Sequence, residues 1–128
     1  MDLMSYFENT KGVGVLSTAD SEGNVDSAIY ARPHVMEDGT IALIMRDRLS
    51  HHNLQSNPRA AYLFMEEGPG YKGKRLFLTK MSEEQDEEKI RLMRRRTYPD
   101  DDTIHGEAKF LVYFRVDKEL PLVGSGDK

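Results

Sequence analysis

Short runs rich in β-branched and aromatic residues recur along this chain, and each is closed by a cluster of turn formers. GVGVLSTA ends in DSEGN, VDSAIYARPHVM ends in EDG, and TIALIMR follows. RAAYLFM and KRLFLTKM flank the glycine-rich EEGPGYKG, and AKFLVYFRV comes last. Runs of this length and content read as strands, and the clusters between them as turns. The first three predict a meander. Pro33 has no amide to donate, so the second run must lie at a sheet edge or carry a bulge there.

Three stretches read as short helices instead. Leu3, Met4, Tyr6 and Phe7 have helical spacing and stop at Asn9-Thr10-Lys11-Gly12. Ser50 can cap a helix carrying Leu54 that ends at Asn57 and Pro58. Ser82 and Gln85 form a Ser-x-x-Gln capping box ahead of DEEKIRLMRRR, where Ile90 and Met93 can face a core. TYPDDDTIHGE reads as loop and ELPLVGSGDK as a tail, with residues from about 121 to 128 frayed. The 128 residues, 38% hydrophobic and 31% charged, suffice for one core and hardly two, so 1–128 is expected to be a single domain. The expected class is mainly β (α+β): a six-stranded antiparallel barrel with short flanking helices. Periodicity alone fits another α+β sheet equally.

There is no cysteine, which excludes disulfides, thiolate metal sites and a cysteine nucleophile. The N-terminal MDLMSYFENTKG lacks the basic start of a secretory signal, and no apolar run approaches the ~20 residues that span a bilayer. A cytoplasmic protein without a membrane partner is expected. The formal net charge of −4 argues against a nucleic-acid partner, since phosphate neutralisation needs a surplus of Lys and Arg.

The most informative stretch for chemistry is Arg46-Asp47-Arg48-Leu49-Ser50-His51-His52-Asn53. A helix start offers unpaired amides and the positive end of the dipole. With Arg46, Arg48, Ser50, His51 and His52 around it, such a start can hold a phosphate; a plain cap on a solvated surface fits the same residues. Arg32, beside Pro33, can aim a planar fork at phosphate oxygens or be an exposed edge-strand arginine. His51 and His52 are adjacent and so diverge on a helix, unlike a metal-binding i, i+4 pair; no metal is expected. Arg94, Arg95 and Arg96 lie between the acidic runs 83–88 and 100–102 and read as a solvated face. GPGYKG lacks phosphate-loop spacing and reads as a turn, with Tyr71 able to stack on a ring. No catalytic acid, base or nucleophile is assigned.

Taken together, GVGVLSTAD, YARPHVMEDGTIALIMRD and SHHNLQSNPRAAYLFME resemble the FMN-binding split barrels related to pyridoxamine 5′-phosphate oxidase, from about Met4 to the last strand. The ARP of the second run and NLQSNPRAAY carry the resemblance most specifically. It implies a split β-barrel and flavin mononucleotide as cofactor. The flavin phosphate would be held by Arg32, within that ARP with Pro33, and by Ser50, His51 and His52. Met45 and Arg46 would lie along the isoalloxazine or ribityl chain. The family builds its sites at a homodimer interface, so Tyr71 and Lys72 would reach the other subunit's cofactor. Ser50 stands where many members have a phosphate-directed lysine, leaving Arg48 or His51 to replace it. The tail KELPLVGSGDK lacks the tryptophan, arginine and histidine with which the true oxidases hold vitamin B6. The expected function is therefore an FMN-dependent oxidoreductase of an unknown small molecule, and not oxidation of pyridoxamine phosphate. An FMN-binding electron carrier or flavin reservoir, or a haem- or deazaflavin-binding barrel, is the alternative.

Overall fold

The computed structural model describes residues 2–93 and 108–124. Arg94–Arg96, the expected loop at 97–107 and the last four residues of the expected tail lie outside the described residues. Asp2 caps the first helix, α1 (Leu3–Asn9), by accepting the Ser5 amide at 2.8 Å. Strand β1 (Gly12–Ala19) follows and turns into β2 (Val25–Tyr30). Asp20 organises that turn by accepting the Glu22 and Asn24 amides at 2.9 Å each. Gly23, at φ 86°, supplies its left-handed residue.

The single second strand expected from VDSAIYARPHVM is broken in two. After Tyr30 the chain leaves the sheet, and a separate β3 (His34–Val35) pairs with β4 (Ile41–Arg46). Among the described residues the sheet therefore has seven strands, in the order β2-β1-β5-β6-β7-β4-β3, where six were expected. Nor do the first three runs form one meander, since β2 pairs with β1 and not with β4. Pro33 explains the break, because it cannot donate to a ladder, and both strands it separates are edges as anticipated. The two edges of the sheet are joined only by Ala31, Arg32 and Pro33. Four Cα steps reach at most ~15 Å, so the sheet must curl until its edges nearly meet. The result is a split barrel.

Between β4 and β5 (Arg59–Glu66) lies α2 (Leu49–Ser56), which ends at Asn57 as expected. Strand β6 (Gly73–Glu84) precedes α3 (Glu87–Met93), and β7 (Lys109–Pro121) completes the sheet. Ser82 does not cap α3, because β6 keeps pairing with β7 through Glu84. Asp86 caps it instead, accepting the Lys89 amide at 3.1 Å. Glu119-Leu120-Pro121, read above as tail, is paired strand.

Inward residues alternate along each strand and fill the barrel. Leu16, Ile41, Leu43, Met45, Tyr62, Phe64, Leu76, Leu78, Val112 and Phe114 form the main core. Helix α1 adds Tyr6 and Phe7, whose rings meet Phe64 edge-on at 5.9 and 5.3 Å. Such burial is worth roughly 1.5–3 kcal/mol per large side chain. On the outer face of β4 and β7, Ala42 and Leu111 pack under Ile90 of α3, with Met93 beside them. Strand β7 is flanked by β6 and β4, so FLVYF is interior to the sheet.

Candidate functional site

The chain passes from β4 into α2 through Asp47 and Arg48. Arg48 is the N-cap, with extended backbone and no side-chain cap bond, so the helix starts at Leu49. Ser50 is thus the second helical residue and not the cap that the sequence suggests. Its hydroxyl turns across to β2 and donates to Asp26 Oδ2 at 3.1 Å. The amide of His52 bonds to the Arg48 carbonyl at 2.9 Å. The amides of the first turn before it have no intrahelical acceptor, and the positive end of the dipole lies there.

Tyr30 joins this group. It is half-buried, and burial raises its phenol above the ordinary value, against the influence of the neighbouring Ser50 hydroxyl; Asp26 adds to the rise and Arg48 opposes it. Arg48, Ser50, Asp26 and Tyr30 therefore gather where the start of α2 meets β2. Neither Asp26 nor Tyr30 was singled out in the sequence. A signal existed: VDSAIY alternates, and Asp26 shares the inward phase with Ala28 and Tyr30.

His51 points elsewhere. It is 6% exposed and stacks on Phe110 of β7, with centroids 3.9 Å apart and planes 13° from parallel. Its Nδ1 lies 3.3 Å from Asp47 Oδ1, and its Nε2 3.0 Å from Glu83 Oε2. Glu83 also accepts Lys80 Nζ at 2.5 Å. Burial works to raise the Glu83 carboxyl, but the hydrogen bonds from Lys80, His51 and Gln55 together outweigh it and hold it at about 2. Asn53, also buried, donates to Thr18 Oγ1 at 3.0 Å. His51 and Asn53 thus fasten α2 to β6, β7 and β1, whereas His52 is exposed.

The remaining expected residues are dispersed. Arg32 Nη1 donates to the carbonyls of Phe7 and Thr10, at 2.8 and 3.0 Å, and so caps the C-terminal end of α1. Pro33 is fully buried. Met45 belongs to the barrel core and offers no side-chain surface, and Arg46 lies half-buried on the opposite face of β4. Tyr71 and Lys72 are exposed on the turn between β5 and β6. Tyr71 borders a cleft of about 720 Å³ with Lys11, Val13, Met65 and Glu66. Strand β1 runs from this cleft, at Gly12, to Thr18 beneath α2, a span of ~20 Å at a strand's rise. One chain therefore holds two separated groups of candidates. Among the described residues no group of three or more His, Cys, Asp or Glu is placed to hold a metal ion, and no helix is long and apolar enough to cross a membrane.

No protein-family model and no curated protein matches the chain. Solved structures do. An FMN-binding protein from Syntrophomonas wolfei superposes with a TM-score of 0.71 at 19% identity, over 96% of this chain and 85% of that one. A putative pyridoxamine 5′-phosphate oxidase from Lactobacillus delbrueckii gives 0.65 at 15%, over 92% and 89%. The styrene monooxygenase flavin reductase of Pseudomonas putida S12 gives 0.60 at 12%, over 92% and 85%. At such identities the likeness establishes architecture, and it does so over almost the whole of each chain. The protein has the split-barrel fold of the pyridoxamine 5′-phosphate oxidase-like proteins.

Proposed function

We propose that the chain binds flavin mononucleotide and is an FMN-dependent oxidoreductase of a small molecule, in the cytoplasm, other than pyridoxamine phosphate. The observation that carries the reading is the first turn of α2, where amides without intrahelical acceptors stand beside Arg48 and the Ser50 hydroxyl in a barrel of this fold. That donor set suits a phosphate: the amides and hydroxyl donate, and the guanidinium supplies charge. Bound FMN supplies the electron chemistry. The chain's own contribution is to hold and orient it. Arg48 and Ser50 grip the phosphate, and Tyr30 lends an aromatic wall. His51 and Asn53 keep α2 in place. Arg32 acts by fixing α1 to the link that closes the barrel.

The site is completed by a second copy in this reading. The outer face of β2-β1-β5-β6 leaves Val13, Val25, Ile29, Leu63, Met65 and Phe77 exposed. Val15 pairs with Ile29 on one side and Leu63 on the other, so the apolar residues are contiguous. A face of this kind is removed from water by a two-fold partner. Tyr71 and Lys72, too far from α2 to serve its own site, then reach the flavin of the second copy.

A carrier is the second reading, because the Syntrophomonas wolfei protein is named for binding FMN and for no reaction. The test is the visible spectrum and mass of the chromophore that copurifies, followed by anaerobic reduction with a nicotinamide donor. FMN with catalytic turnover is the expected result. FMN reduced without turnover favours the carrier, and haem or a deazaflavin overturns the assignment.

A further inference from the structure

Asp26 occupies an unexpected place. It lies on the inward phase of β2, between the exposed Val25 and Ser27, and its carboxylate accepts from Ser50 Oγ at 3.1 Å. Ser50 is 4% exposed, and this bond holds its hydroxyl within the chain. The hydroxyl assigned above to a flavin phosphate is therefore already satisfied by an anion that the chain carries itself. A phosphate arriving at the first turn of α2 must take that donor from Asp26 and then lie beside a carboxylate of like charge.

We propose that Asp26 is an internal competitor for the flavin phosphate, and so the residue that sets how strongly the chain prefers phosphorylated over unphosphorylated flavin. This rests on the reading of the α2 first turn as the phosphate site, and it deepens that reading. Asp26 touches Ser50 and acts through it on ligand choice. The contact joins residues 24 apart in sequence, so it is a product of the fold and not of local chain geometry.

The test is a titration of the full-length apo chain with FMN and with riboflavin, followed by flavin fluorescence. It compares wild type with Asp26→Asn, Asp26→Ser and the charge-keeping Asp26→Glu. Asn retains an acceptor for Ser50 and removes only the charge; Ser provides a second neutral variant should Asn fold poorly. The ratio of riboflavin Kd to FMN Kd is expected to rise about tenfold in the neutral variants, equivalent to about 1.4 kcal/mol. It should stay near the wild-type value in Asp26→Glu, and the rise should shrink as salt is added. An unchanged or lower ratio in the folded neutral variants overturns the proposal. On a wild type that prefers FMN, that outcome removes Asp26 alone. If wild type and neutral variants alike bind both flavins equally, the phosphate reading of α2 falls with it.

Discussion

Gly14 shows how closely single residues are bound into this barrel. A Cβ built there would come within 1.8 Å of Tyr62 Oη. Tyr62 is fully buried, and its hydroxyl donates to the Ala31 carbonyl at 3.0 Å, in the link that joins the two sheet edges. The glycine is therefore required for space. Gly14→Ala must displace the ring or lose that bond, and we expect a loss of about 1–3 kcal/mol, the usual cost of overpacking a core. Urea melts read it directly, and an unchanged midpoint at unchanged slope would show that the ring gives way freely. At this scale the sequence is only partly informative. Alternation places Leu16 and Tyr62 inward, but nothing local says that Arg32 bonds to α1, that Ser50 meets Asp26, or that His51 meets Glu83. The last two pairs are 24 and 32 residues apart, and only the closed sheet brings them together.

Among elements, α2 matters most, and its anchoring is electrostatic as well as apolar. Glu83 has its carboxyl held at about 2, against an ordinary 4.5. A depressed carboxylate stabilises the fold fully above its ordinary value and loses that contribution as pH falls toward its folded value. The contribution of Glu83 is thus present at pH 7 and fades between about 4.5 and about 2. Glu83→Gln should cost roughly 1–3 kcal/mol at neutral pH, the range for losing a charged hydrogen-bond partner. The deficit should narrow as pH falls through that window. Denaturant melts at several pH values check it, and a deficit independent of pH would mean that Glu83 acts through shape alone. The existence of α2 and of most strands was legible in the sequence, because β-branched runs and turn clusters are local signals. Boundaries were less legible. Ser82 looks like a cap until β7 pairs β6 past it, and Ser50 looks like a cap although the cap lies two residues earlier, at Arg48. The second strand splits because Pro33 cannot pair and because its halves find partners, β1 and β4, that lie far apart in the sheet.

At the scale of the whole molecule, the described residues cover one outer face of the curled sheet with a helix and leave another exposed. Helix α3 lies over the β4 and β7 side. The β2-β1-β5-β6 side leaves Val25 82% and Ile29 56% exposed. If that face meets a second copy, wild type sediments as a dimer at micromolar concentration. Ile29→Lys, placing a charge on that face, should shift it to monomer with the fold retained. A wild-type monomer that still holds flavin would refute the shared site. The central claim, that the first turn of α2 grips FMN by its phosphate, is tested most directly by calorimetric titration of the apo protein with FMN and with riboflavin. The two ligands differ only in the phosphate. FMN should bind at least tenfold more tightly, a margin of about 1.4 kcal/mol, and equal affinities would contradict the account.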